Sequence, residues 1–171
     1  MQNTTKKPTK RKRNSEAILL YTDGSASYKQ GNGAWAFVAV RGKEVFYDSG
    51  YDPATKVNAM ELTAILKALE FVPDNGTSPV RVMSDSQYSV NCINVWAHAW
   101  QQDGWQVSTG VSRPPANLKL IRSIMRRLKF LRKTRPVGIH WIAGHSNYEY
   151  NEMADRIAGE TRRAGMAKSG K

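Results

Sequence analysis

Cysteine is almost missing from this chain: Cys92 stands alone among 171 residues. A single thiol excludes an intramolecular disulfide, and no Cys/His grouping has the spacing of a zinc site. A reducing compartment is therefore expected, with Cys92 a buried thiol among apolar neighbours. Long apolar runs are missing as well. None approaches the ~20 residues of a membrane span, and the polar, basic N-terminus has no signal-peptide stretch, so a soluble, unsecreted, cytoplasmic protein is expected. Acidic residues are the minority charge, 14 Asp and Glu against 26 Lys and Arg, giving a net charge of +12.

The positive charge is unevenly placed. Lys6, Lys7, Lys10, Arg11, Lys12 and Arg13 form one cluster, and eight Lys/Arg fall between Lys119 and Arg135. Such clusters favour nucleic acid through counterion release, although a solvated arm has the same composition. Residues 1–15 lack apolar periodicity and read as a basic, disordered tail; Lys10 to Arg13 also fits a nuclear-localisation signal. The expected domain covers residues 16–164, with 165–171 a flexible C-terminal tail. One domain of this size buries roughly two-thirds of its unfolded surface without disulfides or structural metal.

Within the domain the hydrophobic period changes several times. Residues 17–21 are a short apolar run that ends in Thr22, Asp23, Gly24 and Ser25, read as a strand stopping at a turn. Residues 34–40 and 44–50, joined by Arg41, Gly42 and Lys43, predict an antiparallel hairpin. Leu62, Ile65, Leu66 and Leu69 recur at helical spacing within residues 58–71, which Pro73, Asn75 and Gly76 terminate. Residues 80–83 predict a buried strand running into Ser84, Asp85 and Ser86, and a helical stretch follows to about Gln102. A loop with Gly104, Gly110, Pro114 and Pro115 precedes a long basic helix over 117–133, a strand over 137–142 and a last helix over 151–163. This order predicts an α/β fold with a mixed five-stranded sheet, three antiparallel strands then two parallel, covered by helices on both faces. Ligands are expected where the strand order switches.

Four acids carry the chemical signal. Taken singly, each has a structural reading: Asp23 as a turn residue before Gly24, Asp85 as a helix N-cap, Glu61 as a partly exposed helical glutamate, Asp155 as a surface partner of Arg156. Taken together they converge. Asp23 and Asp85 each follow a buried strand, and if those strands are neighbours their carboxylates lie side by side, which costs several kcal/mol unless a cation sits between them. Mg²⁺ suits such oxygen ligands, and two such ions roughly 4 Å apart are the device that cleaves phosphodiesters.

The residues Thr22-Asp23-Gly24-Ser25, Asn58-Ala59-Met60-Glu61-Leu62, Ser84-Asp85-Ser86-Gln87-Tyr88, and Gly144-His145-Ser146 followed by Asn151-Glu152-Met153-Ala154-Asp155, resemble the successive motifs of type 1 ribonuclease H. They occur in that family's order and span about residues 17–164. The resemblance implies an endonuclease that cuts the RNA strand of RNA·DNA hybrids, with Asp23, Glu61, Asp85 and Asp155 holding two Mg²⁺ (Mn²⁺ a possible substitute) and products bearing 5′-phosphate and 3′-hydroxyl ends. It implies that His145 shuttles a proton or assists product departure. Gly24, Ser25, Asn58, Gln87 and Asn151 match substrate-contacting positions near the groove that displays the 2′-hydroxyl, and Asn117 matches one that helps hold a DNA-strand phosphate. For Asn58 a helix cap is the alternative.

Trp96, Trp100 and Trp105 resemble the tryptophan-bearing handle of bacterial members, and their alternative role is packing between the handle's helices. This handle departs from the family. It reads Gln101-Gln102-Asp103-Gly104-Trp105-Gln106 where a strongly basic segment is common, so the tail and the series Arg122, Arg126, Arg127, Lys129 become candidate substitutes. Lys56 and Val57 stand where the family has threonine and a polar residue. No separate N-terminal hybrid-binding domain is recognisable, and a monomer is expected. The rival readings are a DNA nuclease or resolvase of the same fold, a noncatalytic hybrid-binding module, and a nucleic-acid-coating protein driven by the tail.

Overall fold

The computed structural model describes residues 16–107 and 113–169; the expected basic tail lies outside them. Strands β1 (Ile18–Ala26), β2 (Gly33–Arg41), β3 (Glu44–Asp52), β4 (Val80–Ser84) and β5 (Val137–Trp141) form one sheet in the order β3-β2-β1-β4-β5. β1 to β3 pair antiparallel, whereas β4 pairs parallel with both β1 and β5. The helices are α1 (Val57–Phe71), α2 (Gln87–Asn91), α3 (Ala97–Gln102), α4 (Leu118–Leu131) and α5 (Glu149–Ser169), with a π-helical turn, Cys92–Trp96, joining α2 to α3. This is the mixed sheet that the order of apolar periods predicts. No helix among the described residues is long and apolar enough to cross a membrane.

Strand alternation sorts the core into two layers. Phe37 and Ala39 of β2 join Leu20, Val82 and Ile139 under the buried side chains of α1, α2 and α4, while Ala36, Val38 and Val40 meet Ala154, Ile157 and Ala158 of α5. Successive side chains of a strand point to opposite faces, so β2 is apolar almost throughout because both faces are covered. Within α4, Ile121, Ile124, Leu128 and Leu131 are buried at helical spacing, leaving its charged residues on the outer side.

Two boundaries differ from the sequence expectation, and one matters for function. β1 does not stop at a turn before Gly24; it continues to Ala26, because β2 pairs with it through Ala26 and Gly33. The parallel ladder with β4 ends earlier, at Thr22 and Ser84. Asp23 is therefore a mid-strand residue opposite Ala36, one step past the end of β4. The second difference is α5, which runs to Ser169 and so continues through most of the segment expected to be a tail.

The end of α1 is held from α4. Arg127 donates from Nε to the Leu69 carbonyl at 3.0 Å and from Nη2 to the Val72 carbonyl at 2.7 Å, and its Nη1 meets Asp74 at 2.6 Å. Arg135, buried despite its charge, donates to the Pro73 carbonyl at 2.6 Å. These bonds satisfy the Val72 and Pro73 carbonyls just past the helix end and add a second donor to the Leu69 carbonyl, which also accepts from the Val72 N–H. Arg127 thus leaves the series of arginines expected to be free for nucleic acid.

Candidate metal centre

The centre lies where β1 and β4 part company. Asp23 and Asp85 each follow the last parallel pair, Thr22 and Ser84, so the two strands deliver them together. Glu61 comes from the start of the second turn of α1, and its approach depends on Gly24. A Cβ on Gly24 would sit 2.4 Å from the Glu61 nitrogen and 2.7 Å from the Met60 carbonyl carbon. Only hydrogen at that position lets the helix backbone lie against the strand. Asp23, Glu61 and Asp85 then each place a carboxylate oxygen within 4.8 Å of the others.

Asp85 is kept available by its neighbours. Ser86, not Asp85, caps α2, accepting from the Ser89 N–H at 3.3 Å. Asn151 donates from Nδ2 to Asp85 Oδ2 at 3.3 Å, and the Trp141 indole donates to the Asp85 carbonyl at 3.1 Å. A second group adjoins the first: ligand atoms of His145, Glu152 and Asp155 also lie within 4.8 Å of one another, with His145 Nδ1 3.6 Å from Glu152 Oε2. Glu152 was not singled out in the sequence. Its signal was there, since it precedes Asp155 by three residues on the helix and so shares its face.

Electrostatics join the two groups. Burial, then the charges of Asp85 and Asp155, push the Asp23 carboxyl up to about 7 against a hydrogen bond from the Gly24 backbone. Burial, followed by Asp23 and Asp85, holds Glu61 well above the usual carboxylate range. Both residues are more than nine-tenths shielded from solvent, and Glu61 Oε2 and Asn151 Oδ1 are buried with no hydrogen-bond partner among the described residues. Buried polar atoms are normally satisfied, and carboxylates this close normally share a cation. The donor set, all oxygen and several acids, fits a divalent metal ion of the hard kind.

Comparison with known proteins decides the family. The model of the RNase H family matches residues 15–163. The ribonuclease H of Chlorobaculum parvum is 35% identical over 144 residues, covering 84% of this chain and 93% of that protein. The chain belongs to the ribonuclease H family. Among solved structures, a type 1 RNase H carrying the type 2 active-site motif superposes with a TM-score of 0.71 at 22% identity, covering 88% of this chain and 74% of that one. A foamy viral protease-reverse transcriptase in complex with RNA/DNA hybrid gives 0.71 at 20% identity over 94% of this chain and 22% of that one. At these identities the superpositions speak for the fold.

This ribonuclease H is therefore a hydrolase of the nuclease class, and its remaining expected site residues fall into two sets. Asn58 is exposed next to the start of α1; Lys56 holds the N-cap position without a side-chain cap bond, so Asn58 does not serve as the cap. Gln87 is exposed at the first position of α2, and Ser25 Oγ accepts from Arg162 Nε at 3.0 Å. Asn117 precedes α4 in the left-handed region, φ 60°, with its side chain hydrogen-bonded to Tyr88 and no cap bond. Burial, then Cys92, raises Tyr88 to about 12, which keeps its hydroxyl neutral in that contact. Trp100 and Trp105 pack against the core. Trp96 is exposed, with its ring centroid 5.9 Å from both Tyr88 and Trp100.

Proposed function

We propose that this protein hydrolyses the RNA strand of RNA·DNA hybrids with two Mg²⁺ ions held by Asp23, Glu61, Asp85 and Asp155, leaving 5′-phosphate and 3′-hydroxyl ends. The observation that carries the reading is the triad of buried Asp23 and Glu61 with half-buried Asp85, whose mutual repulsion and orphaned Glu61 oxygen call for a divalent cation. Bound there, such ions supply activation of the attacking water and neutralise charge at the leaving oxygen.

The chain's own residues do the rest. Asn151 steers one Asp85 oxygen, and Trp141 pins the Asp85 backbone, so the carboxylate that ends β4 is presented at a fixed angle. His145 stands in a loop at φ 51°, 83% exposed, with Glu152 beside Nδ1; there it accepts and releases a proton as product departs. Strand choice rests on the 2′-hydroxyl, the mark that distinguishes an RNA sugar, read by Asn58, Gln87 and the Gly24-Ser25 backbone. Trp96 is the handle ring left free to meet a sugar or base, and Asn117 receives a DNA-strand phosphate. The protein acts as a monomer in the cytoplasm, its domain covering residues 16–164 with the basic tail before it.

End-group analysis of a cleaved hybrid tests the mechanism. Mass spectrometry of the RNA fragments is expected to show 5′-phosphate and 3′-hydroxyl ends formed only with Mg²⁺ present. Fragments with 2′,3′-cyclic phosphate would mean that the 2′-hydroxyl, rather than water, is the nucleophile.

A further inference from the structure

A concavity of about 630 Å³ lies between α3 and α4 and is walled by His98, Trp105, Arg122, Arg126, Lys129 and Lys133. The spacing of Arg122, Arg126 and Lys129 puts them on one stripe of α4, and these three, with Arg132 and Lys133 just past the helix, are exposed. No Asp or Glu occurs anywhere between Asp103 and Glu149. Among the described residues, Arg127 is the one α4 side chain in a salt bridge, and it faces away to Asp74. The other cations have no carboxylate to neutralise them. Arg122 lies over the Trp105 ring at 5.6 Å, which holds one guanidinium at the groove wall rather than free in solvent.

A charged helix face is ordinarily just solvated. Here a second wall, carrying His98 and Trp105, faces it across the groove. The groove is also placed apart from the carboxylates. α4 follows Asn117, which contacts Tyr88 just beyond Asp85, and ends at Leu131, before the chain turns into β5 at Val137, opposite Val80 at the far end of the parallel strands. At ~1.5 Å per residue, Lys129 lies about 18 Å further along the helix than Asn117.

We propose that the α3–α4 groove binds phosphates of a nucleic-acid segment that flanks the scissile region, several nucleotides from the carboxylates. This rests on the hybrid-hydrolase reading above and adds to it a second contact, one that offsets the acid-bearing, weakly basic handle. Backbone phosphates are the ligand that the groove's chemistry selects: cations without carboxylates bind them without regard to sequence, and each contact adds to the salt dependence of binding.

The test uses the full chain and two hybrids, of about 8 and about 30 base pairs, each with ribonucleotides only at its centre, so that the short one extends ~14 Å to either side at ~3.4 Å per step, less than the ~18 Å along α4, and the long one well beyond it. Charge reversal at two exposed positions, Arg126→Glu with Lys129→Glu, is expected to raise KM for the long hybrid about tenfold and to flatten the slope of log KM against log salt by about 2. The value of kcat and the KM of the short hybrid stay within about twofold of wild type, because a flanking contact binds ground state and transition state alike. The reversal Arg41→Glu with Lys43→Glu, on the turn between β2 and β3, changes the net charge equally and is expected to leave KM as it was. An unchanged KM for the long hybrid, equal rises for both lengths, or an equal rise from the Arg41 and Lys43 reversals would each overturn the groove. If the wild-type protein cuts neither hybrid, the hydrolase reading fails; fluorescence anisotropy of the long hybrid with the same variants then decides the groove by itself.

Discussion

Around Asp23, carboxylates are crowded into a pocket in which Asp23 and Glu61 are buried and Asp85 half-buried, while along α4 cations line a groove from which carboxylates are absent. Both arrangements are costly for the isolated chain. Burial, and after it the repulsion of neighbouring acids, pushes the Asp23 carboxyl up to about 7, and the cations repel across open solvent, where screening makes the cost small. Burial is thus what separates the two regions. The pocket concentrates its field and suits a small, hard cation; the groove spreads its field and suits a long anion. A nuclease of polyanions needs one of each, and a uniformly basic chain would have only the second.

The comparison breaks most severely at the acids. Asp23→Asn is expected to lower kcat about a thousandfold or more while leaving the thermal midpoint of the metal-free protein equal or higher, since the amide removes repulsion. Retention of near-wild-type cleavage in Mg²⁺ by this variant, or by Asp85→Asn, would remove the metal assignment. His145→Ala ranks next: a fall in kcat of about ten- to a hundredfold, with an altered pH profile, is expected of a proton carrier that is helpful but not a ligand. A pH–rate curve superimposable on wild type would take His145 out of the mechanism.

Packing supplies the third prediction. Gly24→Ala drives a methyl into the first turn of α1, so a loss of about 1–3 kcal/mol is expected in denaturant unfolding, together with reduced activity because Glu61 is displaced. A variant as stable and as active as wild type would show that the close approach is dispensable.

Acidity sharpens the contrast further. The folded protein holds the Asp23 proton up to about 7, whereas an unfolded aspartate releases it near ~3.9. The folded state therefore binds more protons in that window, and metal-free stability is fully present below ~4 and falls as pH rises towards 7. Mg²⁺ is expected to raise the melting temperature more at about pH 8 than at about pH 5, the excess shrinking in Asp23→Asn. The smallest expected effect is at Arg127→Met, about 1–2 kcal/mol of stability, chiefly from the Val72 carbonyl left without a partner, with KM for hybrid unchanged. The exposed Asp74 partner adds little to that. A raised KM at Arg127 without loss of stability would return it to the nucleic-acid surface.

Much of this was legible in the sequence because the signals were local. Apolar periods of two and of three to four marked the strands and helices, and four acid-bearing motifs in order marked the site. What escaped depended on distant partners. Asp23-Gly24-Ser25 has the composition of a turn, yet β2 pairs alongside and keeps it extended, so the residue thought to end a strand lies within one. Glu152 resembled any helical glutamate until its neighbours His145 and Asp155 were placed around it. Arg127 and Arg126 are adjacent and chemically identical, and only the position of the α1 C-terminus tells the structural one from the free one. The π-helical turn at Cys92–Trp96 had no signature in composition; it leaves Trp96 outward while Trp100 packs inward.

The central claim is that the buried acids and the basic surface together make an enzyme for one strand of a hybrid. It is tested most directly by incubating the full chain with RNA·DNA hybrid, duplex RNA and duplex DNA, each strand end-labelled in turn, in Mg²⁺ and in EDTA. The account predicts cutting of the hybrid's RNA strand alone, and only in Mg²⁺. Cutting of duplex DNA, or tight binding of the hybrid in Mg²⁺ with neither strand cut, would contradict it.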